Sequence, residues 1–128
     1  MLTAVCLGSN DLDAATRFYD GVLATLGMVR TVTEAHERGY GAPGATPSLW
    51  VVTPYNEQPA TFGNGTQIIF SAADPDAVAA FHAAALAAGG QDEGAPGPRD
   101  YAPGYYGAYC RDLDGNKLHV SVILSPPS

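Results

Sequence analysis

Basic residues are scarce in this chain: six Lys and Arg stand against 13 Asp and Glu, for a formal net charge of −7. A surface of that sign repels phosphate backbones and anionic head groups, so neither nucleic acid nor a membrane surface is an expected partner. Cysteine is scarcer still. Cys6 and Cys110 stand in no C-x-x-C arrangement, which argues against a disulfide framework or a cysteine zinc site. Both read as small buried hydrophobes, with a reactive thiol at Cys6 as the alternative. Long apolar runs are missing too: the longest, Ala77 to Ala88, is broken by His82 and falls far short of the ~20 residues that span a bilayer. No basic region precedes the first apolar stretch, so the start reads as mature protein and a cytoplasmic location is expected.

What the chain does have is internal repetition. At an offset of 63, residues 4–28 lie over 67–91 with seven identities in 25 pairs, among them Asp11/Asp74, Phe18/Phe81 and Gly27/Gly90. Chance would give about two, and the shared order of elements strengthens the match. Each copy opens on a short apolar strand, 4–7 and then 67–70. Each then enters a helix. Asp11 is placed to cap a stripe of Leu12, Ala15, Phe18, Tyr19, Val22 and Leu26 that closes at Gly27. Asp74 and Pro75 open the second helix, with Val78, Phe81 and Ala85 inward and a stop at Gly89-Gly90.

Strand-like runs follow each helix, at about 28–34, 38–42 and 48–53 in the first copy and 91–95, 105–111 and 117–123 in the second. Asp112-Leu113-Asp114-Gly115-Asn116 is a turn into the last strand. The unit is therefore βαβββ, twice. One domain is expected over residues 1–128, with a first module of about 1–55, a second of about 65–124 and a Pro/Gly-containing linker between them; 125–128 reads as a frayed tail.

The run Leu7-Gly8-Ser9-Asn10-Asp11-Leu12, the pairs Phe18-Tyr19 and Leu26-Gly27, Tyr105-Tyr106-Gly107-Ala108-Tyr109, and above all the D-x-D-G-N turn resemble the vicinal oxygen chelate superfamily of glyoxalases, bleomycin-resistance proteins and extradiol dioxygenases. The resemblance covers nearly the whole chain. It implies an α+β fold in which the curved mixed sheets of two βαβββ modules enclose one cleft. It also implies that catalytic members hold a divalent metal with side chains from the first and last strand of each module. The matching positions here are Ala4, Trp50, Gln67 and His119. A methyl group and an indole offer no lone pair to a metal, and one amide with one imidazole falls short of a stable site. No cofactor is therefore expected; Zn, Ni, Mn or Fe is the alternative.

His119 is the leading candidate, as a general base near neutral pH or as a polar wall residue bonded to Gln67 or to a ligand. Gln67 would orient a ligand, and Trp50 would form an aromatic wall or ordinary core. Arg99, in a Gly/Pro-rich stretch with Tyr101 and Tyr105, would clamp an anionic ligand group or pair with Asp92, Glu93 or Asp100. The two tyrosines would edge the pocket. His36 reads as a solvated turn residue, and His82, on the second helix, as one that packs or faces solvent.

These features together predict a metal-free protein that binds a small molecule, its acidity compatible with a cationic ligand such as a basic drug. The alternatives are a glyoxalase-like lyase, isomerase or dioxygenase, in which Gln67, His119 and others such as Glu57 bind metal or His119 acts as base without a metal, and a dimeric interaction module without catalysis. A homodimer is an expected partner arrangement.

Overall fold

The structure, a computed structural model, describes residues 1–124, and the tail at 125–128 lies outside the described residues. In chain order the elements are β1 (Val5–Gly8), α1 (Leu12–Ala24), β2 (Val29–Glu34), β3 (Glu37–Gly41), β4 (Leu49–Val52), β5 (Gln67–Ser71), α2 (Pro75–Ala87), β6 (Gln91–Pro98), β7 (Tyr105–Arg111) and β8 (Lys117–Ile123). They make two four-stranded mixed sheets, β1-β4-β3-β2 and β5-β8-β7-β6. In each, the first strand of the module lies parallel to the last, and the other neighbours are antiparallel. The sheets are not closed.

The helices begin where their caps predict. Asp11 accepts from the Ala14 amide at 3.0 Å and Asp74 from the Ala77 amide at 2.8 Å. Each bond satisfies one of the donors that a helix start leaves open and contributes about 1 kcal/mol. α1 buries Ala15, Phe18, Tyr19, Val22 and Leu23, and α2 buries Val78, Phe81, His82 and Ala85. They pack against one face of the sheets, where Leu7, Leu49, Val51, Phe70, Leu118 and Val120 complete the core. Strand alternation then turns every second residue to the face without a helix.

Two sequence expectations about the strands change. β1 is shifted by one residue from the expected 4–7. β6 runs to Pro98 instead of ending near 95, although Pro96 and Pro98 lie in it. It is an edge strand, its pairing with β7 shifts register between Asp92 and Gly94 and again before Gly97, and the missing proline donors therefore break no interior ladder. Of the two outcomes expected for His82, packing holds: it is buried and its Nε2 lies 2.9 Å from Asp92 Oδ1.

The D-x-D-G-N turn joins the modules. Tyr19 donates to Asp112, the Asn116 amide side chain donates to the Gly8 carbonyl at 3.1 Å, and Asp114 accepts from the Asn10 amide at 2.8 Å. Asn10 also holds the linker, exchanging two hydrogen bonds with the backbone of Ala60.

Candidate functional site

β7 and β8 carry the largest concentration of polar and aromatic side chains on the helix-free face of the second sheet. The turn fixes their register: Arg111 faces Lys117, Tyr109 faces His119, and Gly107 faces Ser121. On its other side His119 faces Ile69 of β5. The Tyr109 ring stacks on the His119 imidazole with centroids 4.2 Å apart and planes at 27°. Tyr105 Oη lies 3.2 Å from His119 Nε2, and Tyr101 reaches over both, its Oη 2.5 Å from Tyr109 Oη and its ring edge-on to Tyr105. His119 is only 2% exposed.

Gly107 makes this closure possible. A Cβ there would stand 3.1 Å from His119 Nε2 and 3.0 Å from the Val120 carbonyl oxygen, so a side chain would crowd the imidazole and force it or the strand to give by a few tenths of an ångström.

The second ring nitrogen of His119, Nδ1, is buried and meets no hydrogen-bond partner among the described residues. A buried polar atom left in this way costs free energy unless something supplied from outside completes it. Burial, and after it the charges of Arg99 and Lys117, hold the His119 pKa below its ordinary 6.5. Burial and the Tyr101 hydrogen bond push the Tyr109 phenol up to about 12. At neutral pH the His119 imidazole is therefore neutral and the Tyr109 phenol protonated.

Two cations border it. The Arg99 guanidinium stands 5.4 Å from the Tyr109 ring centroid and the Lys117 ammonium 5.1 Å. Arg99 makes none of the ion pairs weighed from sequence: Asp92 is taken by His82 and Glu93 by Arg111, and Arg99 donates instead to the carbonyls of Ala95 and Pro98.

The structure thus brings Arg99, Tyr101, Tyr105 and His119 together. It does not bond His119 to Gln67, which is exposed and faces Lys117. Trp50 lies on the other sheet, between Cys6 and Gly39, and no hydrogen bond or ring contact among the described residues ties it to His119. It is half-buried against Gly39, where a Cβ would come within 3.0 Å of the indole. Ala4 lines an opening of about 330 Å³ with Ile68 and Ile69. Tyr109 and Lys117 are the members that sequence reasoning missed. Counting antiparallel pairs outward from the 112–116 turn would have placed Tyr109 opposite His119, and alternation would have set Lys117 on the same face.

Cys110 is buried as expected, and burial raises its thiol to about 12; Cys6 is exposed instead. His36 is exposed at the β2–β3 hairpin. A groove of about 530 Å³ opens beside it, lined by Glu37, Val52, Tyr55 and Glu57 among others and by none of the residues around His119.

The donor set does not fit a divalent metal. His119 offers Nε2 to Tyr105, its strand neighbours are Ile69 and Tyr109, and Trp50 is flanked by Cys6 and Gly39. Among the described residues no group of three or more His, Cys, Asp or Glu side chains is disposed to hold an ion. Among those residues, too, no helix is long and apolar enough to cross a membrane.

The sequence profile of the Glyoxalase/Bleomycin resistance protein/Dioxygenase superfamily matches residues 2–120. Among solved structures, a glyoxalase/bleomycin resistance protein from Albidiferax ferrireducens T118 is 43% identical, over 94% of this chain and 97% of its own, with a TM-score of 0.84. A glyoxalase-related enzyme from Fulvimarina pelagi is 20% identical, over 94% and 86%, with a TM-score of 0.75. A lactoylglutathione lyase from Agrobacterium tumefaciens is 24% identical, over 94% and 92%, at 0.64. These last two share the fold. No curated protein gives a significant match.

Proposed function

Because the chain belongs to the Glyoxalase/Bleomycin resistance protein/Dioxygenase superfamily, we propose that it is a metal-free small-molecule-binding protein. Its binding site in this reading is the helix-free face of the second sheet. The observation that carries the reading is His119 itself, at a position where the family places a metal ligand. Here the imidazole is buried under tyrosines, one nitrogen bonded to Tyr105 and the other without a partner among the described residues. A ligand that displaces the exposed Tyr101 ring would gain the faces of Tyr105 and Tyr109 and the free nitrogen together. β1 and β5 each leave one sheet edge unpaired, which suits association of two copies.

The depressed pKa of His119 favours one second reading. An imidazole held neutral at physiological pH is ready to accept a proton, as a glyoxalase-like lyase or isomerase would require. In any activity found, His119→Ala then lowers turnover by at least ~100-fold.

The binding reading is tested by screening a small-molecule library against protein with ¹³C-labelled His and Tyr side chains. Hits are expected to move the resonances of His119, Tyr105 and Tyr109 together. Hits that move His36 and Tyr55 instead would place binding in the first module's groove and contradict the assignment.

A further inference from the structure

We infer that the ligand of this site is a small planar organic oxyanion, recognised by Arg99 and Lys117 through a carboxylate or phosphoryl group. The inference rests on the binding site proposed above and runs opposite to what the net charge of −7 suggests.

Acidic side chains outnumber basic ones 13 to six, so carboxylate partners are plentiful. Arg30, Arg38 and Arg111 each have one, in Asp20, Asp13 and Glu93. Arg17, Arg99 and Lys117 have none among the described residues; Arg17 lies on the exposed side of α1, whereas Arg99 and Lys117 stand at the same tyrosine, 5.4 and 5.1 Å from its ring centroid. Neither cation has a counter-charge of its own, and an anion bound at Tyr109 supplies one.

The backbone is shaped to hold the guanidinium. A Cβ at Gly94 would approach Arg99 Nη2 to 3.2 Å, and one at Gly97 would approach Nη1 to 3.3 Å. The Ala95 and Pro98 carbonyls take two of its five N–H donors, at 2.8 and 3.1 Å, and orient the rest. The Lys117 ammonium makes no hydrogen bond or ion pair among the described residues. With Tyr105 donating to Nε2, the Nδ1 of His119, without a partner among the described residues, carries the ring proton and is a donor for an oxyanion, and the Tyr101, Tyr105 and Tyr109 rings supply flat walls. The field of both cations reaches His119, since both depress its protonation.

Wild-type protein is titrated with benzoate and phenylphosphonate, with benzamide as a neutral probe and benzylamine as a cationic one, reading the His119 imidazole by NMR. Both anions are expected to bind at least ~10-fold more tightly than benzamide. Arg99→Gln and Lys117→Gln erase that difference, and Arg17→Gln, on the exposed side of α1, keeps it. Bound benzoate also raises the His119 pKa, since a negative charge favours imidazolium. Benzamide or benzylamine binding as tightly as benzoate, with the same His119 response, would overturn the anion assignment and leave the site standing. No response of His119 to any of the four probes would overturn both.

Discussion

The phenol of Tyr19, on the first module's helix, donates a 2.5 Å hydrogen bond to Asp112 in the second module's turn, and both side chains are buried. Asp112 also accepts from the Asn116 and Asp114 amides and from the Asn116 side chain, each at 2.9 Å. Burial nevertheless outweighs these bonds and holds its pKa above the ordinary carboxylate value. The family-like motif therefore serves as a clasp between modules, on the helix side of the sheet and away from the face that carries His119.

Replacing Tyr19 by Phe keeps the ring and removes the donor. Unfolding in urea is expected to show a loss of about 1–3 kcal/mol, because a buried carboxylate loses a partner. The same change raises the Asp112 pKa further, visible in its carboxyl ¹³C shift. Unchanged stability and an unchanged shift would mean that the clasp contributes nothing.

The pH dependence of stability separates His119 from the carboxylates. Its folded pKa lies below the reference 6.5, so the unfolded chain binds the proton more readily. Stability is full above pH 6.5 and is lost as the pH falls from there through the folded pKa. Measured by urea midpoints, His119→Gln is expected to flatten that part of the profile. Asp92, its pKa lowered by the His82 hydrogen bond and then by the Gly94 amide, acts in a lower window. Its contribution is present above 3.8 and is lost as the pH falls through its folded value, so Asp92→Asn alters the acid limb alone.

Gly107→Ala tests the closure around His119. The added methyl meets the imidazole and the Val120 carbonyl, and overpacking of this kind costs about 1–3 kcal/mol. The Tyr105–His119 hydrogen bond is expected to break, with the Tyr105 and His119 resonances shifting together. An alanine variant with wild-type stability and spectra would show that the imidazole is not held where the geometry places it.

Much of the fold could be read from the residues because its signals are local. Asp11 and Asp74 cap helices through bonds to amides three residues on, and the stripes they open predict Phe18 and Phe81 in the core. The offset repeat supplied the module order. The site was harder to read because it depends on pairing between strands. Arg99, Tyr101, Tyr105 and His119 were legible as chemistry, but their convergence needs the β7–β8 register and the extension of β6 through two prolines. Gln67 and Trp50 were assigned by likeness of position. The observed pairing gives His119 the neighbour Ile69 and gives Trp50 the neighbour Cys6.

Binding at His119, as proposed, needs no metal. Elemental analysis of untagged protein, before and after incubation with Zn, Ni, Mn and Fe salts and desalting, tests it most directly. Sub-stoichiometric metal is expected throughout, with the same traces in His119→Ala. Near-stoichiometric metal that a chelator removes, and that His119→Ala fails to retain, would contradict it.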